Sequence, residues 1–553
     1  YQVEIALPLR MLNFNDRLAS QTWKLELLRF YPRDVKHRLS SNKIERANPC
    51  WICQMRVATG FSGAKQGSHF SVVPSLVTGA SQQRDVTPDS KTDWQTEPNT
   101  EVSLDLKWGI TPDINLNATL NPDFSQVEVD VQQTNLDRFE LFFPERRQFF
   151  IENGDLFNNF GYNNLRPFFS RRIGLQNKIV GGARLSGKLN KNWRLGVLNM
   201  QMQANENETT GTNFAVFALQ RKVFQRSNIG VILVNRERFG DATTLANRNI
   251  GVEYNLASAN NFWRGKVFYL NTLSSTKTNK DQLLAADIQY TNKNITYGMK
   301  WEDVGNQVNA ETGFVPRTGY KRLNPGAGYL FFPKSGKVLS HGPALEFSSY
   351  FNENFKQIEN EHVAIYKINF LSRADLFIWT ATNKVKLLAR FDPTNYAGHF
   401  LKEGTTHQWY SRGFDFTSKP QSLVTYRVST RQGGYYANGK RVRLEGEFGY
   451  RIQPYFSISL RATYNNLSFF EDERLPEKLR NNQFNLWLAG PRFDLTLTNK
   501  LFITYFFQYN KQIDNINSNF RLQWRYSPAS DLYFVYTDNY YANYIQIKQR
   551  QFC

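Results

Sequence analysis

Arg441-Val-Arg-Leu-Glu-Gly-Glu-Phe-Gly-Tyr-Arg-Ile452 sets Val442, Leu444, Phe448, Tyr450 and Ile452 against Arg441, Arg443, Glu445, Glu447 and Arg451 in alternation. A β-strand sends successive side chains to opposite faces, so one face here is lipid-like and the other water-like. The pattern recurs. In 455–465, Phe456, Ile458, Leu460, Ala462 and Tyr464 oppose Ser457, Ser459, Arg461, Thr463 and Asn465. In 519–526, Phe520, Leu522, Trp524 and Tyr526 oppose Asn519, Arg521, Gln523 and Arg525. Near the other end, Val102, Leu104, Leu106, Trp108 and Ile110 interleave with Ser103, Asp105, Lys107 and Gly109. No helical period fits these runs.

Turn signals separate the runs: Thr111-Pro-Asp113, Asn190-Lys-Asn192, Asn438-Gly439 and Ser527-Pro528. From about residue 69 onward there are roughly 24 runs, within a range of about 22 to 26, each about 9 to 13 residues long. Segments 309–325, 392–405 and 466–482 read either as loops or as strand extensions. Such lengths suit tilted strands crossing a bilayer. The expected fold is therefore all-β, a large antiparallel transmembrane barrel occupying 67–553.

Composition agrees. Hydrophobic residues are 41% of the chain and mean hydropathy is −0.53, yet aromatics reach 15%, with 44 Phe and 27 Tyr among 553 residues. A barrel reconciles these numbers, because only alternate residues meet lipid while aromatic girdles raise the ring count. Soluble sandwiches and propellers also alternate, but they favour Val, Ile and Leu and shorter turn spacing. Here aromatics recur near run ends, at Tyr269, Trp301, Tyr329, Phe332, Tyr455, Tyr509, Tyr526 and Tyr541. No stretch approaches the apolar length a transmembrane helix needs. Tyr1-Gln-Val-Glu-Ile-Ala reads as mid-domain sequence, so an export signal is expected to have been lost by processing or truncation. The formal charge of +20 is spread along the chain. Lumen lining and contact with anionic outer-membrane lipid and lipopolysaccharide explain that spread better than nucleic-acid binding, which is not expected.

Three regions break the rhythm. Residues 1–14 alternate through Val3, Ile5, Leu7 and Leu9, and 15–66 read as strands and turns, so 1–66 is expected to be a periplasmic module and linker. Within it, Cys50-Trp-Ile-Cys53 has redox or metal spacing, but zinc would want a second pair. A local disulfide or two unpaired thiols is the expectation, with Cys553 left over. The third region, 122–176, runs between the third and fourth barrel strands and is too long for a hairpin turn. Phe139, Phe142, Phe143, Phe149, Phe150, Phe157, Phe160, Phe168 and Phe169 require burial, so it is not a linker.

The strings Asn121-Pro-Asp-Phe-Ser-Gln-Val-Glu-Val-Asp130, Arg138-Phe-Glu-Leu-Phe-Phe-Pro-Glu-Arg-Arg-Gln-Phe-Phe-Ile-Glu152, Phe168-Phe-Ser-Arg-Arg-Ile-Gly174 and Glu311-Thr-Gly-Phe-Val-Pro-Arg-Thr-Gly-Tyr320 resemble the bacterial outer-membrane barrels grouped as domain of unknown function 5916. Those barrels often follow a carbohydrate-binding family-9-like β-sandwich. Val3-Glu-Ile-Ala-Leu-Pro-Leu-Arg-Met-Leu-Asn-Phe14 resembles the end of that sandwich, and Trp23-Lys-Leu-Glu-Leu-Leu-Arg-Phe-Tyr-Pro-Arg33 its exit strand. The resemblance implies an outer-membrane location and a sandwich remnant; it supplies no catalytic residues.

For function, the insertion 122–176 is the centre of interest, because a barrel this wide leaks unless something fills it. Glu140, Glu145, Arg146, Arg147, Glu152, Arg171 and Arg172 are the lumen or plug candidates, either meeting a polar solute or pairing to hold the segment in place. An enzyme is not expected. His37, His69, His341, His362, His399 and His407 lie beside no nucleophile motif and in no metal spacing, and His399 and His407 with Asp392 and Glu403 read as an ordinary loop. No cofactor is implied. The leading expectation is a plugged or gated channel or transporter for a polar solute, an oligosaccharide among the candidates. A TonB-box-like leader is not seen before the barrel, which argues against an energised transporter. The alternative is a non-conducting scaffold or assembly component docking outer-membrane or periplasmic proteins; a surface enzyme comes third.

Overall fold

In the computed structural model the described residues are all but 1–3, 6, 8, 10, 11, 13, 16, 33–35, 46–49, 66–68, 85–91, 125–128, 176, 205–210, 239–245, 274–280, 529, 543 and 544. From Phe70–Gln83 to Gln546–Phe552, 24 antiparallel strands pair in sequence order, and the last pairs with the first. Gln549↔Gln83 through Phe552↔Ala80 close the cylinder. Closure leaves no open sheet edge, the condition for a β-structure in a bilayer.

Register puts the alternating side chains where the sequence reading expects them. Leu444 pairs with Tyr464 and Phe448 with Leu460, while Tyr464 pairs with Trp487, all on one face. That face is the exterior: Leu444, Phe448, Leu460 and Trp487 are 42–49% exposed. The chain exposes 31,953 Å², against roughly 20,000 Å² for a water-soluble globular chain of this mass. Part of that area is the hollow interior; the outward row of large apolar side chains is stable only against acyl chains. This is an outer-membrane barrel.

Its two ends differ. Connections 189–192, 292–294 and 497–500 are tight turns at one end; 121–178, 305–319, 387–405 and 469–482 lie at the other. In bacterial barrels the short turns are periplasmic and the long loops external. The first strand starts at the short-turn end, where Arg373 of the turn 371–374 lies 5.6 Å over the Phe30 ring of the N-terminal piece.

That piece holds two small sheets, Ser20–Leu25 with Arg56–Ser62 and Leu28–Pro32 with Lys36–Ser40. The stretch read as one exit strand is thus two strands, broken at Glu26 and Leu27. Trp23 stacks on Phe61 at 4.3 Å, and Cys50 and Cys53 form a disulfide. Val3 lies outside the described residues; Ile5 and Leu7 are exposed and in no strand. Of the three ambiguous segments, 392–405 is loop, 466–482 is loop after its first three residues end the strand Phe456–Ser468, and 309–325 is loop up to the strand Tyr320–Tyr329.

Candidate functional site

Residues 121–178 leave the long-loop end together, their neck closed by Asn121 N–H donating to Val180 O at 2.8 Å. Among its described residues the segment has only short helical turns, Gln148–Ile151, Asp155–Asn158 and Ser170–Arg172. Aromatic burial positions it instead. Phe150, Leu156, Phe157, Phe160, Leu165, Phe168 and Ile173 join one apolar cluster with Leu198, Met200, Phe214, Val216, Ile232, Val234, Phe268 and Leu270. Those wall residues face inward: in Ser227–Arg238, Ile229 and Leu233 are the exposed outward set, while Ile232 and Val234 are buried.

The wall is shaped to receive the rings. A Cβ at Gly196 would sit 2.6 Å from Phe157 Cζ, and one at Gly230 would sit 3.0 Å from Phe160 Cε2. Both glycines lie toward the short-turn end of their strands, so residues 157–160 reach deep into the barrel.

Polar anchors surround this floor. Gly161 N–H donates to Glu253 at 3.0 Å, and Lys266 Nζ bridges Glu253 (2.9 Å) and Gly161 O (2.7 Å). Tyr162 donates to Asp287 at 2.7 Å; burial first, then this carboxylate, pushes the phenol's pKa far up, so it remains a donor. Arg194 grips Asp155 at 2.8 Å. Farther round the wall, Arg138 pairs with Glu359 at 2.7 Å, and Gln508 and Gln512 accept from the backbone N–H of Gln132 and Asn135. Burial works against the Arg138 charge, but Glu359, with Tyr436 and Asp137 adding to it, raises the guanidinium's pKa.

The seven candidate residues fall into four groups. Glu145 accepts from Arg147 Nε (2.8 Å), Arg147 Nη2 (2.6 Å) and Ser170 Oγ (2.7 Å); Arg147 also donates to Ile173 O (2.7 Å) and Ser170 O (2.8 Å). This pair staples the descending leg of the segment to its returning leg. Burial alone would raise the Glu145 carboxyl, but the Arg147 bonds and charge and the Ser170 hydroxyl hold it below the usual range. Asp130 receives Arg146 (3.2 Å) and Arg171, and Arg172 reaches Glu140 at 2.7 Å and Gly313 O at 3.1 Å. Glu152 pairs with a wall strand, through Lys107 at 2.5 Å.

Four other loops fold in. Arg166 and Phe314 exchange backbone hydrogen bonds at 3.0 Å, docking 305–319 on the segment. Leu136 enters a second apolar cluster with Leu387, Phe391, Leu401, Tyr435, Tyr436 and Phe469. Asp392 and His407 belong to this scaffold: Asp392 accepts from Thr394 and Gly398 N–H, and His407 Nδ1 accepts from Ala437 N–H at 3.0 Å.

Below this cluster, toward the short-turn end, the strands from Val424 to Thr496 remain wet on their inner face. Arg461 pairs with Glu447 at 2.9 Å and Arg492 with Asp494 at 3.0 Å, with side-chain exposures of 30–48%; Arg443 pairs with Glu445 beside them. One side of the lumen is thus packed with aromatic rings, and the other is lined by solvated charges.

Sequence reasoning counted Asp155 among the insertion's charges but did not find its wall partner Arg194, nor Arg138, Tyr162 or their partners. A signal was present: Ile229-Gly-Val-Ile-Leu-Val234 is continuously apolar, the mark of a strand buried on both faces.

Fold and site together define a bacterial outer-membrane β-barrel with a long segment packed on its inner wall. Residues 85–193 match the family model Domain of unknown function (DUF5916). Three of the four strings that carry the resemblance lie within that stretch, which does not reach the N-terminal piece. No protein of curated function matches the chain. Among solved structures, the siderophore receptor PirA from Acinetobacter baumannii is 8% identical, with 84% of this chain and 78% of that one covered and a TM-score of 0.40. The ferric enterobactin receptor PfeA from Pseudomonas aeruginosa is 10% identical (80% and 76% covered, TM-score 0.39). OpdQ from the same organism is 9% identical (77% and 97% covered, TM-score 0.31).

Proposed function

We propose that the protein is a gated channel or transporter for a polar solute, in which 122–176 is the gate. The supporting observation is the asymmetry of the lumen. A segment anchored by rings and ion pairs covers one side, and paired, solvated charges line the other. Balanced Arg–Glu and Arg–Asp pairs offer hydrogen bonds without a strong field of either sign, which suits hydroxyl-rich or zwitterionic solutes, oligosaccharides included. The candidate charges act mainly as fasteners, since each is paired and Glu145 and Arg147 are nearly buried.

The test is single-channel recording of the full chain in planar bilayers beside a variant lacking 129–172. Larger conductance steps on deletion support the gate. Bilayers that stay silent with a folded deletion variant defeat it and favour the docking scaffold.

A further inference from the structure

The barrel wall has a notch. Strands Thr406–Thr417 and Val424–Gly434 pair at Ser411↔Gly433 and Arg412↔Gln432, and again from Asp415↔Ser429, but residues 406–410 have no ladder partner on that side. The cause is the next hairpin tip, Tyr435 to Gly439. It turns inward through left-handed Ala437 and Asn438, burying Tyr435 and Tyr436 in the interior apolar cluster. Between the two strands a cleft of about 620 Å³ remains, lined by Gln408, Tyr410, Arg412, Gln432, Lys440 and Val442 among others.

Those six side chains belong to the outward row. Thr380↔Arg412, Thr382↔Tyr410 and Lys384↔Gln408 share the face of Ile378 and Phe414, which are 50% and 40% exposed. Tyr410, 75% exposed, stands at the long-loop end of that face, as do Tyr464 and Trp487, whose rings are 4.5 Å apart. Outward aromatics at strand ends mark the bilayer interface. Lys384 and Lys386 continue the row beyond Tyr410's partner Thr382, and Lys440 continues it beyond Val442; all three stand at headgroup level. Arg412 lies two residues deeper, where an outward charge facing acyl chains costs about 1–4 kcal/mol unless compensated. Among the described residues none of these four cations has a carboxylate within ion-pair distance, although ion pairs line the interior.

We infer that this notch is a binding site for a phosphorylated glycolipid of the outer leaflet. Phosphates meet Arg412, Lys440 and Lys384, and sugar hydroxyls meet Gln408, Gln432 and the Tyr410 phenol. Acyl chains descend over Phe414, Ile378 and Leu444. A phosphoglycerol headgroup supplies the charge and two hydroxyls, but neither the volume nor the sugar rings that a cleft of this size accommodates. Because the site faces the membrane, it stands whether or not the lumen conducts.

The experiment is native mass spectrometry of the detergent-solubilised full chain titrated with lipid A, with dephosphorylated lipid A and with phosphatidylglycerol. Wild type is expected to retain lipid A at least tenfold better than either comparison lipid. The double variant Arg412→Gln/Lys440→Gln is expected to lose that advantage, while Arg248→Gln, outward on the far side of the barrel, keeps it. Heat-modifiable gel mobility verifies that each variant is folded. Equal retention by the folded double variant, equal binding of the phosphate-free lipid, or equal binding of phosphatidylglycerol would each overturn the assignment.

Discussion

Replacing Arg147 with Ala removes one half of the staple between the legs of the luminal segment. Its partner Glu145 keeps the Ser170 hydroxyl and two backbone N–H groups but loses both guanidinium bonds. The side chains are 13% and 9% exposed, so Glu145 becomes a nearly buried carboxylate without its counter-charge. Breaking such a pair from one side costs about 3–5 kcal/mol. Contact of the guanidinium with the Phe150 ring at 4.3 Å is lost as well. The pair lies wholly within the segment, so the penalty falls on the docked conformation and spares the barrel ladder. At 1.4 kcal/mol per factor of ten, the undocked population should rise at least 10²-fold. Two readouts follow it: open probability in planar bilayers and proteolysis of the segment from the external side. The double variant Glu145→Leu/Arg147→Met should recover most of the docking, because apolar replacement of a buried pair is close to neutral. If Arg147→Ala leaves both readouts at wild-type levels while the barrel stays folded, the staple holds nothing.

Phe160→Ala should lower the thermal midpoint of the docked state by the equivalent of about 3–5 kcal/mol in a detergent melt, since a ring 5% exposed leaves a cavity over Gly230 and Phe268. Acid should undock the segment. The Glu145 carboxyl is held below its ordinary value of 4.5, so its stabilisation is complete above about that pH and is lost as pH falls through the lower folded value. Channel opening that sets in only below about pH 4.5 in wild type, and is already high and flat in Glu145→Gln, is the expected titration. Arg461→Glu turns a balanced wall pair into two acids beside Glu447, and the reversal potential in a salt gradient should shift toward cations.

The membrane barrel was legible because lipid and water impose the alternation directly: Val442, Leu444 and Phe448 had to face out once Arg443 and Glu447 faced water. Where a third environment intervened, the rule weakened. Leu198, Val216 and Ile232 face neither lipid nor water but the rings of the inserted segment, and their strands read as continuous apolar runs. The need to bury Phe157, Phe160 and Phe168 was evident from sequence; the wall that receives them was not, because the partners lie dozens of residues away in other strands. Pairs such as Arg138 with Glu359, 221 residues apart, leave no local trace. Glu145 with Arg147, two residues apart, does. The notch beside Tyr410 was hidden for a different reason, since it arises from two strands ending at different heights.

The luminal segment is tethered at both ends to neighbouring strands on the side of the long loops. A tug from the periplasm would therefore draw the segment down only as a doubled hairpin hung from two covalent anchors in the wall. Extraction outward needs only the rupture of side-chain contacts, as a folded ribbon slides out of a sleeve. If the segment is the proposed gate, either exit leaves both of its ends in the wall, so opening would be reversible.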